Sequence, residues 1–281
     1  MTTQVAPHQL GLSMVELLVV LAISSFLILG ITQAYIDNNR SHAFQVSQSG
    51  NTENGRFAAL SLNEYLSKAG YRRAPSDLPE AALPARPADS DCKAFIKGAA
   101  VTSLDASAGT GFCIRYQPAV SGELDCQGVE SEAFSEDTAF SSVPDSSIII
   151  LAIKYQPSAT TDLHKGSLLC KSLNAKTPQY VELIDGVADF RVDFGIGKDP
   201  TVEAYVAQAD WTPGTANEIR SVRYSLLLTS RESQRDSDDS KILDDWLADA
   251  STTSKARLQG GDNKRLYQIA QGNQSVRNQI R

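Results

Sequence analysis

An uncharged apolar segment near the N-terminus constrains this chain more than any other feature. Between Leu17 and Ile31 the sequence has no charge, no proline and a single glycine, Gly30. Counted from Leu12, the apolar run reaches about the 20 residues that a helix needs to cross a hydrocarbon core of about 30 Å. Only as a helix can such a segment satisfy its own backbone polar groups in lipid. We therefore predict a membrane-spanning helix.

One acidic residue, Glu16, lies a turn inside this apolar segment. A carboxylate in the membrane costs about 2.5 kcal/mol or more on insertion scales, so it normally has a partner. No lysine or arginine precedes Arg40, and the neighbouring sequence therefore offers no cation. One interpretation is that Glu16 reaches back to the membrane interface. The residues before it indicate another.

Those residues form a recognisable signal. A short polar leader ends at Gly11, a hydrophobic residue follows at Leu12, and Glu16 is the fifth residue after that break. The arrangement resembles the signal of type IV prepilins and type II secretion pseudopilins. The resemblance implies that a prepilin peptidase cleaves between Gly11 and Leu12 and N-methylates Leu12. It also implies that Glu16 pairs with the N-terminal amine of a neighbouring subunit, because two charges that are costly alone in lipid are less costly as a pair.

The leader departs from the usual pattern in two ways. Leu12 replaces the more common phenylalanine, and residues 1–11 contain no lysine or arginine, although such leaders are usually basic. The positive-inside rule therefore gives no help with orientation. The resemblance alone implies an inner-face N-terminus and an outer-face remainder.

Length and charge limit the rest of the chain. The protein has 281 residues, which is enough for one globular domain with a sizeable core after the membrane helix. Its net charge is −7, and no basic, aromatic-rich patch occurs. Because phosphate binding needs a basic footprint, we do not expect nucleic acid as a partner.

All four cysteines follow the predicted membrane helix: Cys92, Cys113, Cys126 and Cys170. None is in a CxxC arrangement, and the three histidines are too scattered to complete a zinc site. An even number on the exported side predicts two disulfides in an oxidising periplasm. Four reduced, buried cysteines are the alternative. Two disulfides allow three connectivities.

Helical periodicity continues beyond the membrane segment. The glycines and asparagines of residues 50–55 predict a bend or a loosened turn but not an end. Gly70 is placed to cap the C-terminus of the helix. A helix over residues 12–69 would be about 85 Å long. One apolar face is predicted from residues at the spacing i, i+3, i+7 and i+10: Ala59, Leu62, Leu66 and Ala69.

After a proline-rich loop at residues 74–91, the pattern changes to short β-type runs separated by turn residues. Residues 118–144, 195–217 and 230–261 are predicted to be long surface segments. The chain is expected to end with a strand pair, at 266–270 and 275–279. The other predicted strands are 95–101, 111–116, 147–155, 167–171, 180–183, 187–194 and 219–228.

The C-terminal half narrows the resemblance. Residues 182–192 are similar to the "LveGVedfqv" strand of PilW-type minor pilins, and 222–228 are similar to their next strand. Val276-Arg277-Asn278 resembles their "lRN" ending, and residues 57–72 resemble the end of their long helix. The sequence around two of the cysteines also fits. The resemblance thus favours pairing Cys126 with Cys170, and we expect Cys92 to pair with Cys113.

The resemblance implies an α+β type IV pilin fold, in which a long N-terminal helix packs on an antiparallel β-rich head. It divides the chain into a leader (1–11), a transmembrane and assembly half of the helix (12–35), an amphipathic half (36–72) and a periplasmic or extracellular head (73–281). It places the protein in the inner membrane, with a single span, before assembly. Afterwards the protein would lie in a pilus at the cell surface.

Catalytic and metal sites are not predicted. The sequence contains no P-loop, GxSxG, HExxH or GxGxxG motif, and a lone loop histidine such as His164 is typical of a solvated surface. We expect neither enzymatic activity nor a cofactor. Asp236, Asp238 and Asp239 could offer oxygen ligands to calcium, but their spacing is not that of an EF-hand. Such clusters are usually solvated, so we predict no metal.

Three functions are compatible with the sequence. The PilW resemblance favours a minor pilin that primes type IV pilus assembly, sits in the tip complex and supports twitching motility and adhesion. Its implied partners are other minor pilins, the major pilin, the prepilin peptidase, the inner-membrane assembly platform and a tip adhesin. The second function is a J-type minor pseudopilin of a type II secretion system. The third is a signal-anchored periplasmic enzyme or binding protein, which should tolerate replacement of Glu16 by alanine.

Overall fold

The computed structural model describes residues 13–198, 201–214 and 218–279. It divides into two compact units, Met1–Val46 and Ser47–Arg281. The long helix α1, Met14–Lys68, begins in the first unit and ends in the second. Antiparallel sheets follow it, so the fold is α+β, as predicted.

In the first unit, α1 leaves its side chains uncovered. Every described residue of this unit is exposed except the half-buried Ala43. By length and composition, this part of the helix is apolar enough to cross a membrane. In water such a surface would be strongly unfavourable, since burying apolar area contributes about 25 cal/mol per Å². The helix therefore needs lipid or the apolar surface of other helices around it.

The second unit contains two sheets, in which every strand pair is antiparallel. The first sheet has the order β1–β2–β3–β4–β5, with strands Val101–Ser103, Gly111–Tyr116, Ile149–Gln156, Ser167–Ser172 and Val181–Ile184. The second has the order β7–β6–β8–β9, and its strands β6 to β9 are Val187–Ile196, Ala204–Ala207, Ile219–Ser233 and Arg265–Ser275.

The C-terminal part of α1 packs one face into the main core of this unit. Leu62, Leu66 and Ala69 are buried as predicted, while Ala58 is buried in place of the half-buried Ala59. The spacing of the buried residues is that of a single helix face. Together these buried positions are Asn51, Gly55, Ala58, Leu62, Leu66 and Ala69.

A loosened turn at residues 50–55, one of the two predicted forms, is wrong, because α1 stays α-helical throughout. Gly55 is instead a point of close approach between the helix and the second sheet. A Cβ at this position would lie 3.0 Å from Leu228 Cδ1 in β8 and 3.3 Å from Ala270 Cβ in β9. The glycine is therefore used for helix–sheet packing and not for flexibility.

Two helices that the sequence analysis missed lie in the segment 230–261. They are α3, Lys241–Ala248, and α4, Thr252–Gly261. The short helix α2 is the single turn Pro79–Ala82. Both missed helices have serine N-caps: the oxygen of Ser240 accepts from Leu243 N, and that of Ser251 accepts from Ser254 N. These serines were the available signal, since serine is a preferred N-cap residue.

Helices α3 and α4 form a second hydrophobic cluster on the second sheet. Side chains point to alternate faces along a strand, so consecutive residues of β8 pack into different cores. Leu226 and Leu228 belong to the main core, and Leu227 belongs to the second cluster. The second sheet is thus a middle layer with a core on each face. The second cluster consists of Leu163, Ala188, Leu227, Leu243, Trp246, Leu258 and Tyr267.

A buried carboxylate fixes this helix pair to the sheet. Asp189 of β6 accepts a hydrogen bond from Trp246 Nε1 at 2.8 Å and one from Arg257 Nη2 at 2.7 Å. Burial raises the pKa of Asp189 above its usual value, and the indole hydrogen bond and the guanidinium charge oppose that shift. A buried pair of this kind strongly specifies its partners, because removing one leaves an uncompensated charge.

Two strand predictions need correction. The strand at 95–101 is wrong: Phe95 makes only an isolated bridge with Arg86, and Gly98, with φ of 84°, turns the chain before β1 begins. The final strand pair is also wrong. Strand β9 runs unbroken beside β8, and a short 3-10 turn, Arg277–Gln279, follows it.

Both expected disulfides are present in the head. Cys92 is bonded to Cys113, with Cα atoms 6.0 Å apart, and Cys126 to Cys170, with Cα atoms 6.3 Å apart. Cys92, Cys113 and Cys170 are fully buried, while Cys126 is half-buried. The first bond ties the loop before β1 to β2. The second ties the long 118–144 segment to β4.

Candidate assembly site

Glu16 lies in the first turn of α1, which begins with a hydrogen bond from Leu17 N to Ser13 O. Its side chain is exposed, and within the described residues it makes no ion pair and no side-chain hydrogen bond. The first N–H groups of a helix have no intrahelical partner and carry partial positive charge. An acid is therefore tolerated here better than in mid-helix.

The surroundings of Glu16 are apolar. Its neighbours Met14, Val15 and Leu17 are 85%, 68% and 53% exposed, and the apolar residues of the following turns are exposed as well. A carboxylate on such a surface has no cation of its own when the helix is in lipid. The arrangement is thus complementary to a positive group brought by another molecule. Gly11 and Leu12, the predicted cleavage residues, lie outside the described residues.

The other end of α1 is held by the C-terminal segment of the chain. Asn278 Nδ2 donates to Ser67 O at 2.8 Å and to Ala69 O at 3.1 Å. Gly70 adopts φ of 76°, and its N–H donates to Arg115 O at 2.9 Å. The predicted glycine cap is therefore confirmed, and the asparagine satisfies helix-end carbonyls that otherwise have no intrahelical donor. In the sequence, Asn278 was notable only because residues 276–278 resemble the "lRN" ending of PilW-type minor pilins, and no role for it was predicted.

Replacing Asn278 by alanine should lower the free energy of unfolding by about 1–2 kcal/mol, because two hydrogen bonds at about 1 kcal/mol each are lost. Urea unfolding of the full chain in detergent measures this through the fluorescence of Trp211 and Trp246, both buried in the second unit. Arg277→Ala is the matched control, because that side chain is exposed. Equal midpoints for the two variants would contradict the capping role.

The acidic loop at 236–239 interacts with basic side chains of the same protein. Arg235 Nη1 donates to Asp238 O at 2.8 Å, and Lys264 Nζ lies 3.3 Å from Asp238 Oδ1. In the described ranges, no three His, Cys, Asp or Glu side chains are grouped as metal ligands. Asp236 and Asp239 therefore remain surface residues of a charged loop.

Comparisons with known proteins found two family models and a solved structure to which the chain is similar. The model of the prokaryotic N-terminal methylation motif matches residues 7–32, and that of type IV pilus-assembly protein W matches residues 153–278. A solved type IV-like pilin from Thermus thermophilus is 15% identical, with a TM-score of 0.41 over 82% of this chain and 98% of its own. No curated protein matches the sequence.

The two family models fall on two of the parts of the chain from which the resemblance was inferred, while residues 57–72 lie outside both. The methylation motif covers Glu16 and the start of α1. The pilus-assembly model covers the second half of β3, all of β4 to β9, and the ending that contains Asn278. Between them they join an assembly signal to a specific type of head. The chain therefore carries a prokaryotic N-terminal methylation motif at residues 7–32 and is similar to PilW-type pilus-assembly proteins over residues 153–278.

Proposed function

We propose that this protein is a minor pilin that primes type IV pilus assembly from the inner membrane and then occupies the pilus tip complex. The observation that carries the proposal is the combination of two features on one chain: Glu16 inside a methylation motif, with no ion pair among the described residues, and a PilW-type head. Its role would be structural and not catalytic. Pilus biogenesis, twitching motility and surface adhesion would depend on it.

The size of the head supports a tip position. The second unit comprises Ser47–Arg281, and α3 and α4 widen it beyond the two sheets. A wide head is difficult to repeat along a fibre whose subunits are closely spaced, whereas a single copy at the end has no such constraint. The expected partners are other minor pilins, the major pilin, the inner-membrane assembly platform and a tip adhesin.

A pilus role is favoured over a secretion role for one reason. The family model that matches the head is described as a type IV pilus-assembly protein. Deletion of the gene should therefore remove surface pili and twitching while protein secretion continues. A mutant that keeps its pili and loses secretion would identify a type II pseudopilin instead.

Processing at the leader gives a direct test of the N-terminal assignment. Gly11→Ala should leave the precursor uncut, because the peptidase is proposed to require glycine before Leu12. An immunoblot should show only the larger form, and mass spectrometry should find no N-methylated Leu12. Gly30→Ala is the matched control: a Cβ at that position meets nothing within 4 Å, so processing should continue. A normal size shift in Gly11→Ala would refute the cleavage site.

A further inference from the structure

A cleft on the first sheet contains buried polar groups that the fold leaves unused. It is formed between the loop at 124–133, the turn before β3 at 146–149 and the segment after β4 at 172–176, and it has a volume of about 870 Å³. This is within the roughly 300–1,000 Å³ of small-molecule sites. We call it the loop cleft.

Two orphaned hydroxyls belong to residues that line the loop cleft. In the described part of the chain, four buried side-chain polar atoms lack a hydrogen-bond partner, and two of them are Ser131 Oγ and Ser147 Oγ. Ser147 is only 1% exposed. Leaving a buried hydroxyl without a partner costs about 1–3 kcal/mol, so such groups call for an explanation. Two in one cleft indicate a polar ligand that supplies the missing hydrogen bonds.

The walls of the loop cleft are fixed in place. The Cys126–Cys170 disulfide joins the loop to β4, and Gln127 Oε1 accepts from Ser172 N at 2.9 Å. Asp125 Oδ1 accepts from the N–H groups of Gln127 and Val129, at 2.8 and 3.0 Å, and so closes the loop on itself. A site whose walls are already ordered loses less entropy when a ligand binds.

Charge restricts the ligand. The charged residues that line the loop cleft are three acids, Asp125, Glu130 and Glu132, and one base, Lys176. Carboxylates only accept hydrogen bonds when ionised, whereas serine hydroxyls donate and accept. The excess of negative charge disfavours anionic ligands. A ligand with several neutral hydroxyls can donate to the carboxylates and exchange hydrogen bonds with the serines without burying a charge.

A second cleft extends the site. It has a volume of about 530 Å³ and shares Glu132, Ser146, Ile148 and Asn174 with the loop cleft. Through these shared walls the two form one groove that has room for more than one sugar ring. The second cleft adds Arg86, Arg115 and Asp145, so the groove has four acids and three bases and keeps a small excess of negative charge. Arg86 pairs with Asp89, and Arg115 donates to backbone carbonyls, so both cations already have partners in the protein. We propose that this groove binds a neutral oligosaccharide, with Ser131 and Ser147 as hydrogen-bonding residues. The proposal concerns the head alone and does not depend on the pilus role.

The test uses the full chain in an amine-oxide detergent, which has no sugar headgroup to compete. The probes are neutral trisaccharides of glucose, galactose, mannose and N-acetylglucosamine, with a sialylated trisaccharide as the anionic comparison. Calorimetric titration should find at least one neutral trisaccharide that binds and no binding of the anionic one. The Ser131→Ala/Ser147→Ala variant should bind that sugar at least tenfold more weakly, and exposed Ser237→Ala should bind it normally.

Stability separates a binding role from a structural one. Because the two hydroxyls lack partners in the free protein, the double variant should unfold at the same or a higher urea concentration than the native chain. A lower midpoint would mean that the hydroxyls already have partners, which would overturn the inference. Absence of sugar binding would also overturn it. So would a groove variant that loses co-purifying pilus subunits but binds no sugar, since the groove would then be a protein-docking surface.

Discussion

Replacing Glu16 by alanine should abolish incorporation of this protein into pili while leaving its insertion in the membrane intact. The helix becomes more apolar, and its insertion should improve by about 2.5–3.5 kcal/mol on translocon scales. The proposed pair with the N-terminal amine of a neighbouring subunit is lost, and that amine is left uncompensated in lipid. Breaking a buried pair costs about 3–5 kcal/mol, which corresponds to a loss of association of more than a hundredfold.

Membrane fractionation measures the insertion of the variant, and immunoblotting of sheared pili measures its incorporation into pili. Glu16→Gln should behave like Glu16→Ala, because an amide keeps the shape but not the charge. Glu53→Ala is the matched control on the same helix, since Glu53 is exposed and lies beyond the apolar segment. If sheared pili contain Glu16→Ala at the native level, the proposed pairing is wrong, and a protein that acts through its head alone becomes the better interpretation.

The sequence predicted the fold well where local patterns carry the structure. The apolar run, the placed acid and the helical spacing through Leu66 are visible in the chain itself, and α1 has the predicted extent to within a few residues at its C-terminus. Strands β2, β4, β5 and β6 also lie close to their predicted positions. All four are bounded by turn residues, and β2, β5 and β6 are rich in β-branched or aromatic side chains, which are the local signals for a strand. Strand β4 has leucine and cysteine as its apolar residues instead.

The sequence failed where long-range contacts decide the structure. Glycine usually weakens a helix, and Gly55 was read in that way. In the structure Leu228 and Ala270 pack so closely against this position that glycine, which has no side chain, is the suitable residue. Helix α3 was obscured by its aspartates, although Leu243 and Trp246 are spaced to bury one face. The loop cleft depends on three segments far apart in the chain. No local pattern reports that Ser131 and Ser147 share a cavity.

Which of the two disulfides contributes more to the stability of the head should depend on whether the cysteines are replaced by alanine or by serine. Each bond is expected to contribute about 3–4 kcal/mol by restricting the unfolded chain. The sequence separations are 21 for Cys92–Cys113 and 44 for Cys126–Cys170. A doubling of loop length adds only about 0.6 kcal/mol. When both cysteines of a pair become alanine, removal of the longer loop should therefore be slightly more destabilising.

Serine should reverse that order. Cys92 and Cys113 are both fully buried, so Cys92→Ser/Cys113→Ser buries two new hydroxyls, whereas Cys126→Ser/Cys170→Ser buries one, because Cys126 is half-buried. One additional unsatisfied hydroxyl costs about 1–3 kcal/mol, which outweighs the loop-length difference. Urea unfolding of the four paired variants, followed by tryptophan fluorescence, measures both orders. If the same cysteine pair is the more destabilising one to replace with serine as with alanine, then the burial of Cys92 and Cys113 does not determine the loss of stability.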